Sequence, residues 1–322
     1  MLRAGIVGAG VFGRIHAKKY SAHEGVTLNA VIDPDQDKAD AAAAEFGAAA
    51  YADYDAFLDN VDVLTIAAPA AAHYELGVKA LRAGRHVYVE KPLALNSTDA
   101  DEMIETALAQ DLVLRVGHQE RLVVDALGLF ADGATPMHLE FARCGPASGR
   151  CEDVSVVFDL MIHDLDLAAR WGMGEPMQVD AAGDAHEAVA TVHFSGGRTA
   201  SFIASRRCDE RRRTMKAHFV DGDISLDFLS RIGSSTRPQA SLRDVNLETA
   251  LADPLGENVA SFLSAVECKA TGAAPGRNAR MAVRLAELVE HSRLELIRQA
   301  SSSTAVDATL AEMAITREKL TA

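Results

Sequence analysis

The chain has 322 residues, of which 48% are hydrophobic and 24% charged, a composition typical of a soluble globular protein with room for two domains. Its formal net charge of −14 argues against a nucleic-acid-binding surface, because phosphate binding requires a basic footprint. No apolar run approaches the roughly 20 residues of a membrane span, and the N-terminus lacks the features of a secretory signal. We therefore expect a cytoplasmic protein with neither a membrane nor a nucleic-acid partner.

Short apolar runs alternate with helical segments from the N-terminus to about residue 116. Several of these runs are apolar on both faces, as in central strands of a parallel sheet that helices cover on both sides. The pattern predicts a doubly wound α/β domain of the Rossmann type over residues 1–120. The predicted strands are Leu2–Val7, Thr27–Ile32, Val61–Ala68, His86–Val89 and Leu112–Val116.

The pattern changes after residue 120. Helical spacing at Val123–Phe130 and Asp159–Trp171 is followed by a series of strands with alternating polarity between residues 176 and 230. Glycine turns between several of these strands indicate hairpins. We predict an α+β domain over residues 121–298 with a mainly antiparallel open sheet, formed as a meander. Residues 299–322, which begin with Ser-rich sequence at Ser301–Ser303, are predicted to be a helix or a tail.

The segment Gly8-Ala9-Gly10-Val11-Phe12-Gly13 is a GxGxxG motif that follows the first predicted strand and opens the first predicted helix. Glycines at these positions allow a tight turn, close approach of a pyrophosphate and close helix packing. Asp33, at the end of the second strand, is placed to accept hydrogen bonds from the adenine ribose. These features predict NAD as cofactor, with NADP disfavoured because its 2′-phosphate would meet the Asp33 carboxylate. The alternative is a glycine turn in an α/β domain without a cofactor.

Further segments complete a distinctive pattern: Ala68-Pro69 with His73, Glu90-Lys91-Pro92, Gly117-His118-Gln119-Glu120-Arg121, and Asp159-Leu160-Met161-Ile162-His163-Asp164-Leu165-Asp166. Together they resemble the Gfo/Idh/MocA oxidoreductases, over residues 2 to about 298. The resemblance implies NAD(P)-dependent oxidation of a CH–OH group. It also implies a homo-oligomer, a dimer or tetramer, that pairs through the exposed face of the antiparallel sheet.

The same resemblance implies that Lys91 and His163 flank the reacting carbinol. An ammonium group beside the hydroxyl would orient it and stabilise developing alkoxide charge, and histidine, with an ordinary pKa of about 6.5, is a natural general base. Asp159, His163 and Asp166 fall at i, i+4 and i+7, on one face of a helix. We assign Asp166 to orienting the imidazole and Asp159 to binding substrate. A purely structural role for this set is the alternative, and a metal site is disfavoured because no third nitrogen or sulfur ligand lies nearby.

The remaining candidates are residues of the loops that follow strands, where ligands bind in open α/β sheets. For the cofactor these are Ala68, Pro69, His73 and Glu90, in addition to Gly8, Gly10, Val11, Phe12, Gly13 and Asp33. For the substrate we predict His118 and Arg121, with Lys91, Asp159 and His163. Arg121 and Arg143 are candidates for a diphosphate. The arginine cluster Arg206–Arg213 is interpreted as a solvated hairpin, with a ligand clamp as the alternative.

The GHQER and DLMIHDLD segments further resemble the branch of the family that oxidises the 3-hydroxyl of UDP-N-acetylglucosamine, a step towards amino-linked lipid A. The leading expectation is therefore an NAD-dependent dehydrogenase of a nucleotide sugar. A dehydrogenase of a free cyclitol or aldose is the rival of the same class. A non-catalytic NAD-binding sensor or scaffold is the rival of another class.

Overall fold

A computed structural model describes residues 1–147, 149, 153–238, 242–243, 247–268, 276–300 and 307–321. Cys151, the 271–275 loop and Ser301–Ser303 lie outside the described residues. The chain divides into two compact units, the first made of Met1–Gln119 and Asp253–Arg280, the second of Glu120–Ala252 and Met281–Ala322. In the part that the structure describes, no helix is long and apolar enough to span a membrane.

The first unit alternates strands and helices along the chain. Its elements are β1 (Leu2–Val7), α1 (Val11–Ser21), β2 (Val26–Ile32), α2 (Gln36–Phe46), β3 (Ala49–Tyr51), α3 (Tyr54–Leu58), β4 (Val63–Ile66), α4 (His73–Arg82), β5 (His86–Val89), α5 (Ser97–Ala109) and β6 (Leu114–Val116). Within the described residues the strands form a parallel six-stranded sheet in the order β3-β2-β1-β4-β5-β6, which is the Rossmann order. The predicted fold class is thereby confirmed.

Helix boundaries in this unit follow local chemistry. Gly47 ends α2 in the left-handed conformation, at φ +70°. The Asn96 side chain caps α5 by accepting a hydrogen bond from the Asp99 amide at 2.9 Å. The sequence prediction missed strand β3, because three residues that include two alanines and no fully buried side chain give no periodic signal.

A helix from late in the sequence completes the first unit. Helix α9 (Pro254–Glu267) packs on α1, and its Phe262 is fully buried against Tyr88, with ring centroids 5.9 Å apart. The predicted boundaries 1–120, 121–298 and 299–322 are corrected here, because Asp253–Arg280 belong to the first unit. An amphipathic helix joins whichever apolar surface it covers, wherever it stands in the sequence.

The second unit holds a sheet covered by helices. Its elements are α6 (Glu120–Ala126), β7 (His138–Pro146), a π-helical turn (Val157–Met161), α7 (Ile162–Arg170), β8 (Pro176–Gly183), β9 (Glu187–Phe194), β10 (Thr199–Ser205), β11 (Arg207–Phe219), β12 (Gly222–Asp227), β13 (Ile232–Ser235) and α8 (Leu247–Ala250); α10 (Gly276–Ala300) lies across the division between the units, and α11 (Asp307–Thr321) ends the chain. The described strands have the order β13-β12-β11-β7-β10-β9-β8.

The sheet is mainly antiparallel, as predicted, but it is not a simple meander. Strand β7 lies between β10 and β11, parallel to β10 and antiparallel to β11. The sequence prediction omitted β7. Arg143 occupies one of its buried positions, where an apolar residue would be expected, and this interrupts the alternation.

The two faces of this sheet differ. On the inner face Phe141 and Phe202 are fully buried and stack with ring centroids 5.3 Å apart. On the outer face α11 places Leu320 beside Cys144 and Ile203. Next to Leu320 lies an open cavity of about 430 Å³ lined by residues of β7, β11, β12 and β13.

Removal of the Phe262 ring tests the place of α9 in the first unit. Because Phe262 is fully buried, Phe262→Ala should lower the free energy of unfolding by about 3–5 kcal/mol in urea denaturation. Leu108→Ala, at a side chain that is 51% exposed in the same unit, is the control and should change it by less than about 0.5 kcal/mol. Equal effects of the two substitutions would contradict this packing.

Candidate active site

The loop between β1 and α1 has the geometry of a dinucleotide cradle. Gly8 has φ +95°, and a Cβ there would lie 2.8 Å from the Ala67 carbonyl oxygen. A Cβ at Gly13 would lie 1.7 Å from the Gly8 oxygen, whereas one at Gly10 would meet nothing within 4 Å. The open side of this loop is therefore at Gly10, where a pyrophosphate can approach.

The N-terminus of α1 suits an anion. Gly10 is its N-cap residue, and no side chain of the described residues caps the helix by a hydrogen bond, so the positive end of the helix dipole faces the Gly10 turn. Val11 follows with 64% of its side chain exposed. Gly10 and Val11 are thus exposed at the start of α1, whereas Gly8 and Gly13 are buried and shape the turn from within.

Asp33 holds this loop in place. One carboxylate oxygen accepts a hydrogen bond from the Ala9 amide at 2.7 Å, and the other accepts one from the Asp35 amide at 2.9 Å. The nearest cation along the chain, Lys38, pairs with Asp35 at 3.0 Å. Asp33 therefore fixes the turn and also presents a negative charge beside it, a combination that fits NAD.

His73, which was predicted to bind the cofactor, is held between two backbone carbonyl groups. Its side chain is buried, with Nδ1 2.6 Å from the Pro92 oxygen and Nε2 2.9 Å from the Ala68 oxygen. Burial lowers the pKa of His73 in spite of these two acceptors. The ring links the loop after β4 to the turn after β5, and it so positions Ala68-Pro69 and Lys91-Pro92.

Glu90 and Lys91 follow β5, and Glu90 contacts a residue that sequence reasoning missed. His16 on α1 is fully buried, and its Nε2 lies 2.7 Å from a Glu90 carboxylate oxygen. Burial alone would raise the pKa of Glu90, but His16 and Lys91 outweigh it and hold that pKa below its usual range. Glu90 is thus an ionised carboxylate beside the Lys91 ammonium group.

In the second unit, His163 contacts one end of a buried chain of charged side chains. Its Nδ1 lies 2.7 Å from one oxygen of Glu120, whose other oxygen accepts a hydrogen bond from Arg143 Nη1 at 2.7 Å. Arg143 also donates Nε and Nη2 to Asp164 at 3.0 and 2.7 Å. Helix α6 supplies Glu120, α7 supplies His163 and Asp164, and β7 supplies Arg143.

Burial strengthens the interactions of this network. Burial alone would raise the pKa of the Glu120 carboxyl, but contact with His163 and Arg143 holds it well below its usual range. Arg143, between two carboxylates, has its pKa raised, although burial opposes this. Glu120 is therefore a permanent anion at the imidazole, while His163 keeps 15% of its side chain exposed.

Glu120, and not Asp166, is the carboxylate that contacts His163 Nδ1, and the predicted role of Asp166 is corrected accordingly. Asp166 accepts hydrogen bonds from Nε and Nη2 of Arg121. Asp159 accepts one from Arg206 Nη2 at 2.8 Å, so this carboxylate has a cation beside it. Asp159 lies in the π-helical turn that precedes α7, and its role in substrate binding stays a prediction.

The two arginines proposed for a diphosphate are already engaged. Arg121 is bidentate on Asp166, and Arg143 is shared between Glu120 and Asp164. Among the described contacts, carboxylates accept from Nε and Nη2 of Arg121 and from all three nitrogens of the Arg143 guanidinium. His118, also predicted at the substrate, is a buried residue that follows β6.

In the described residues, no group of three or more His, Cys, Asp or Glu side chains has the geometry of a metal site. The chemistry that the side chains support is instead proton transfer: an imidazole backed by a carboxylate in one unit, and a lysine beside a nucleotide cradle in the other.

The sequence and the structure were compared with those of known proteins. The family model described as an oxidoreductase family with an NAD-binding Rossmann fold, Gfo/Idh/MocA, matches residues 2–118. UDP-N-acetylglucosamine 3-dehydrogenase of Acidithiobacillus ferrooxidans is 35% identical over 280 residues, 82% of this chain and 88% of that protein. Its solved structure, GnnA, superposes with a TM-score of 0.81 at 32% identity, covering 91% and 97% of the two chains. Myo-inositol 2-dehydrogenase of Thermotoga maritima is 29% identical over 232 residues, 64% of this chain and 69% of that protein.

The fold and the comparisons together define an NAD-binding oxidoreductase that acts on a CH–OH group. The chain belongs to the Gfo/Idh/MocA family, as its motifs predicted. Its relatives act on sugar and cyclitol hydroxyls.

The low pKa of Glu120 gives a testable dependence of stability on pH. A carboxyl whose pKa is lowered by folding stabilises the protein above its unfolded pKa of about 4.3, and this contribution is lost as the pH falls. Glu120→Gln should therefore lower the free energy of unfolding by about 3–5 kcal/mol at pH 7, and this loss should shrink progressively as the pH falls below about 4.3 towards the lowered pKa of folded Glu120. Urea denaturation at a series of pH values from 7 to well below 4 measures this trend; a loss that stays constant over the whole series would show that Glu120 is not a buried anion.

Proposed function

We propose that the protein is an NAD-dependent dehydrogenase that oxidises a ring hydroxyl of a nucleotide sugar, the 3-hydroxyl of UDP-N-acetylglucosamine being the leading candidate. The observation that carries this proposal is the 2.7 Å distance between His163 Nδ1 and a carboxylate oxygen of the ionised, buried Glu120. In the proposal the His163 imidazole is the general base, and the Glu120 carboxylate orients it. The 35% identical relative, a UDP-N-acetylglucosamine 3-dehydrogenase, supports the choice of substrate.

His163 accepts the hydroxyl proton in this mechanism. With the Glu120 carboxylate at Nδ1, the favoured neutral tautomer carries its hydrogen there, which leaves the lone pair of Nε2 to take the proton. Arg143 donates a hydrogen bond to Glu120, and Asp164 in turn accepts one from Arg143. These contacts fix the Glu120 carboxylate, which therefore keeps the imidazole in one orientation. The carbinol carbon loses a hydride and its oxygen loses a proton, giving a ketone.

Lys91 stabilises the oxygen of the same carbinol. Lys91 follows β5, at the carboxyl end of the parallel sheet, next to the ionised carboxylate of Glu90. His16 and His73 fix the turn that carries it.

NAD, when bound, supplies the hydride acceptor. The residues that would hold it are Gly8, Gly10, Val11 and Phe12 at the pyrophosphate, Gly13 beneath them, and Asp33 at the ribose, with Ala68, Pro69 and Glu90 along the edge of the sheet. The exposed Gly10 turn and uncapped α1 fit this group. NADP is disfavoured, because its extra phosphate would meet the charge of Asp33.

We further propose that the protein is a homo-oligomer, a dimer or tetramer, that pairs through the outer face of the sheet. On this face β13 carries Ile232, which is 68% exposed. The described cysteines Cys144, Cys208 and Cys268 are free thiols, which supports a cytoplasmic location. A 3-oxo product would lead, after amination, towards amino-linked lipid A.

Turnover with UDP-N-acetylglucosamine and NAD, followed as NADH absorbance, tests the proposed reaction. Lys91→Met and His163→Gln should each lower kcat by about 10²–10⁴-fold while NAD still binds, because they remove proton transfer and charge stabilisation rather than the cradle. Lys79→Met, at a surface lysine paired with Asp55, is the matched control and should retain activity.

Three other outcomes would overturn parts of this proposal. Turnover of myo-inositol or a free aldose but not of the nucleotide sugar would contradict the substrate. Full activity of both variants would contradict the assigned roles. NAD binding without turnover of any sugar would favour a non-catalytic sensor.

The preference for NAD over NADP has its own test, because the Asp33 carboxylate both carries a negative charge and accepts hydrogen bonds that hold the loop. Asp33→Asn keeps an acceptor for the Ala9 amide and removes the charge, so it should narrow the NAD-to-NADP ratio of kcat/KM by roughly tenfold or more. Asp33→Ala also removes the brace and should weaken both cofactors further. An unchanged ratio in Asp33→Asn would show that the charge does not set the preference.

A further inference from the structure

Two arginines lie on the inner face of the sheet beside the His163 network. Arg213 on β11 is the direct cross-strand partner of Arg143 on β7, so both side chains leave the same face, with Cβ atoms about 5 Å apart. Arg211, two residues earlier, lies over Gly145 of β7, where a Cβ would come within 3.3 Å of Arg211 Cγ. The cluster is therefore part of a strand, not the solvated hairpin that the sequence suggested.

These two arginines differ in their partners from four other arginines of the second unit. Each of the four pairs with a carboxylate: Arg121 with Asp166, Arg143 with both Glu120 and Asp164, Arg206 with Asp159, and Arg207 with Asp184. Arg211 and Arg213 form no ion pair with any carboxylate in the part of the chain that the structure describes. Two uncompensated cations thus follow one another along a single face of β11.

The surroundings of Arg213 do not neutralise it. It is half-buried, and its pKa is lowered, first by this burial and then by repulsion from Arg143, against a smaller opposing effect of Glu120. A guanidinium group held in these surroundings gains from an incoming anion. Arg143 cannot provide that anion site itself, since Glu120 and Asp164 already occupy its donors.

We propose that Arg211 and Arg213 bind the diphosphate of the substrate and so select a sugar linked to a nucleotide over a free sugar. The inference rests on the proposed function for its reaction, since the pair lies on the face that carries the His163–Glu120–Arg143 network. Arg143 connects the two, one cross-strand step from Arg213 and 2.7 Å from Glu120. Two planar guanidinium groups match the several oxygens of a diphosphate, which Arg binds bidentately.

The experiment compares Arg213→Gln and Arg211→Gln with Arg212→Gln. Arg212→Gln is the matched control, because it removes the same charge from the same strand. Arg212 lies opposite Cys144, so its side chain is on the outer face of the sheet. Calorimetric titration with UDP should show a Kd raised roughly tenfold or more in each of the first two variants and little changed in Arg212→Gln. Arg213→Lys, which keeps the charge but not the bidentate edge, should recover part of the affinity.

Kinetics then separate binding of the anion from the chemical step. With UDP-N-acetylglucosamine, KM should rise in Arg211→Gln and Arg213→Gln while kcat changes little. N-acetylglucosamine 1-phosphate tests whether a single phosphate is enough for the KM to depend on the two arginines. With free N-acetylglucosamine, wild type and variants should have the same kcat/KM. Thermal melting of each variant checks that it folds.

Failure of this proposal is distinguishable from failure of the proposed function. UDP affinity that is equal in wild type, Arg211→Gln and Arg213→Gln would overturn the anion site, even if the nucleotide sugar is oxidised. UDP binding that depends on the two arginines would support the site, even if the wild-type protein oxidises no nucleotide sugar. An equal loss of affinity in Arg212→Gln would also overturn it, since only net charge would then matter.

Discussion

The buried carboxylate of Glu120 is the constraint around which the second unit is organised. An ionised group removed from water must be paired on every side, and Glu120 is paired with His163 on one oxygen and Arg143 on the other. Arg143 in turn requires Asp164. The network therefore joins α6, α7 and β7 through charge, and it occupies a position in the sheet that an apolar side chain would otherwise fill.

The nucleotide-binding half of the protein could be predicted from its sequence because its determinants are local. Gly8, Gly10 and Gly13 act through the turn they themselves form, and Asp33 acts at the end of the next strand. The strand runs are buried on both faces and bounded by caps such as Gly47 and Asn96. Each of these signals lies within a few residues of the structure it specifies. His73 is the exception, since its motif position did not reveal that both ring nitrogens meet backbone carbonyls.

The organisation around His163 could be predicted only in part, because its determinants are distant in the chain. Helical spacing pointed to Asp166 and Asp159 as partners of the imidazole, but Arg121 and Arg206 donate hydrogen bonds to these two carboxylates. The partner that contacts the imidazole, Glu120, comes from a helix 43 residues away in the sequence. Its one local signal was an acidic side chain at the start of a helix that follows a parallel strand.

The net charge of the protein says little about its ligand. The formal charge is −14, yet the inner face of the second sheet carries Arg143, Arg211 and Arg213 at neighbouring positions on two strands. Screening confines the influence of exposed acidic side chains to about 8–10 Å, whereas a half-buried guanidinium acts on whatever lies beside it. Carboxylates already compensate Arg143, so the unbalanced charge on this face belongs to Arg211 and Arg213. An acidic protein can in this way select an anionic substrate, because recognition depends on the charges that remain unpaired at one place and not on their sum.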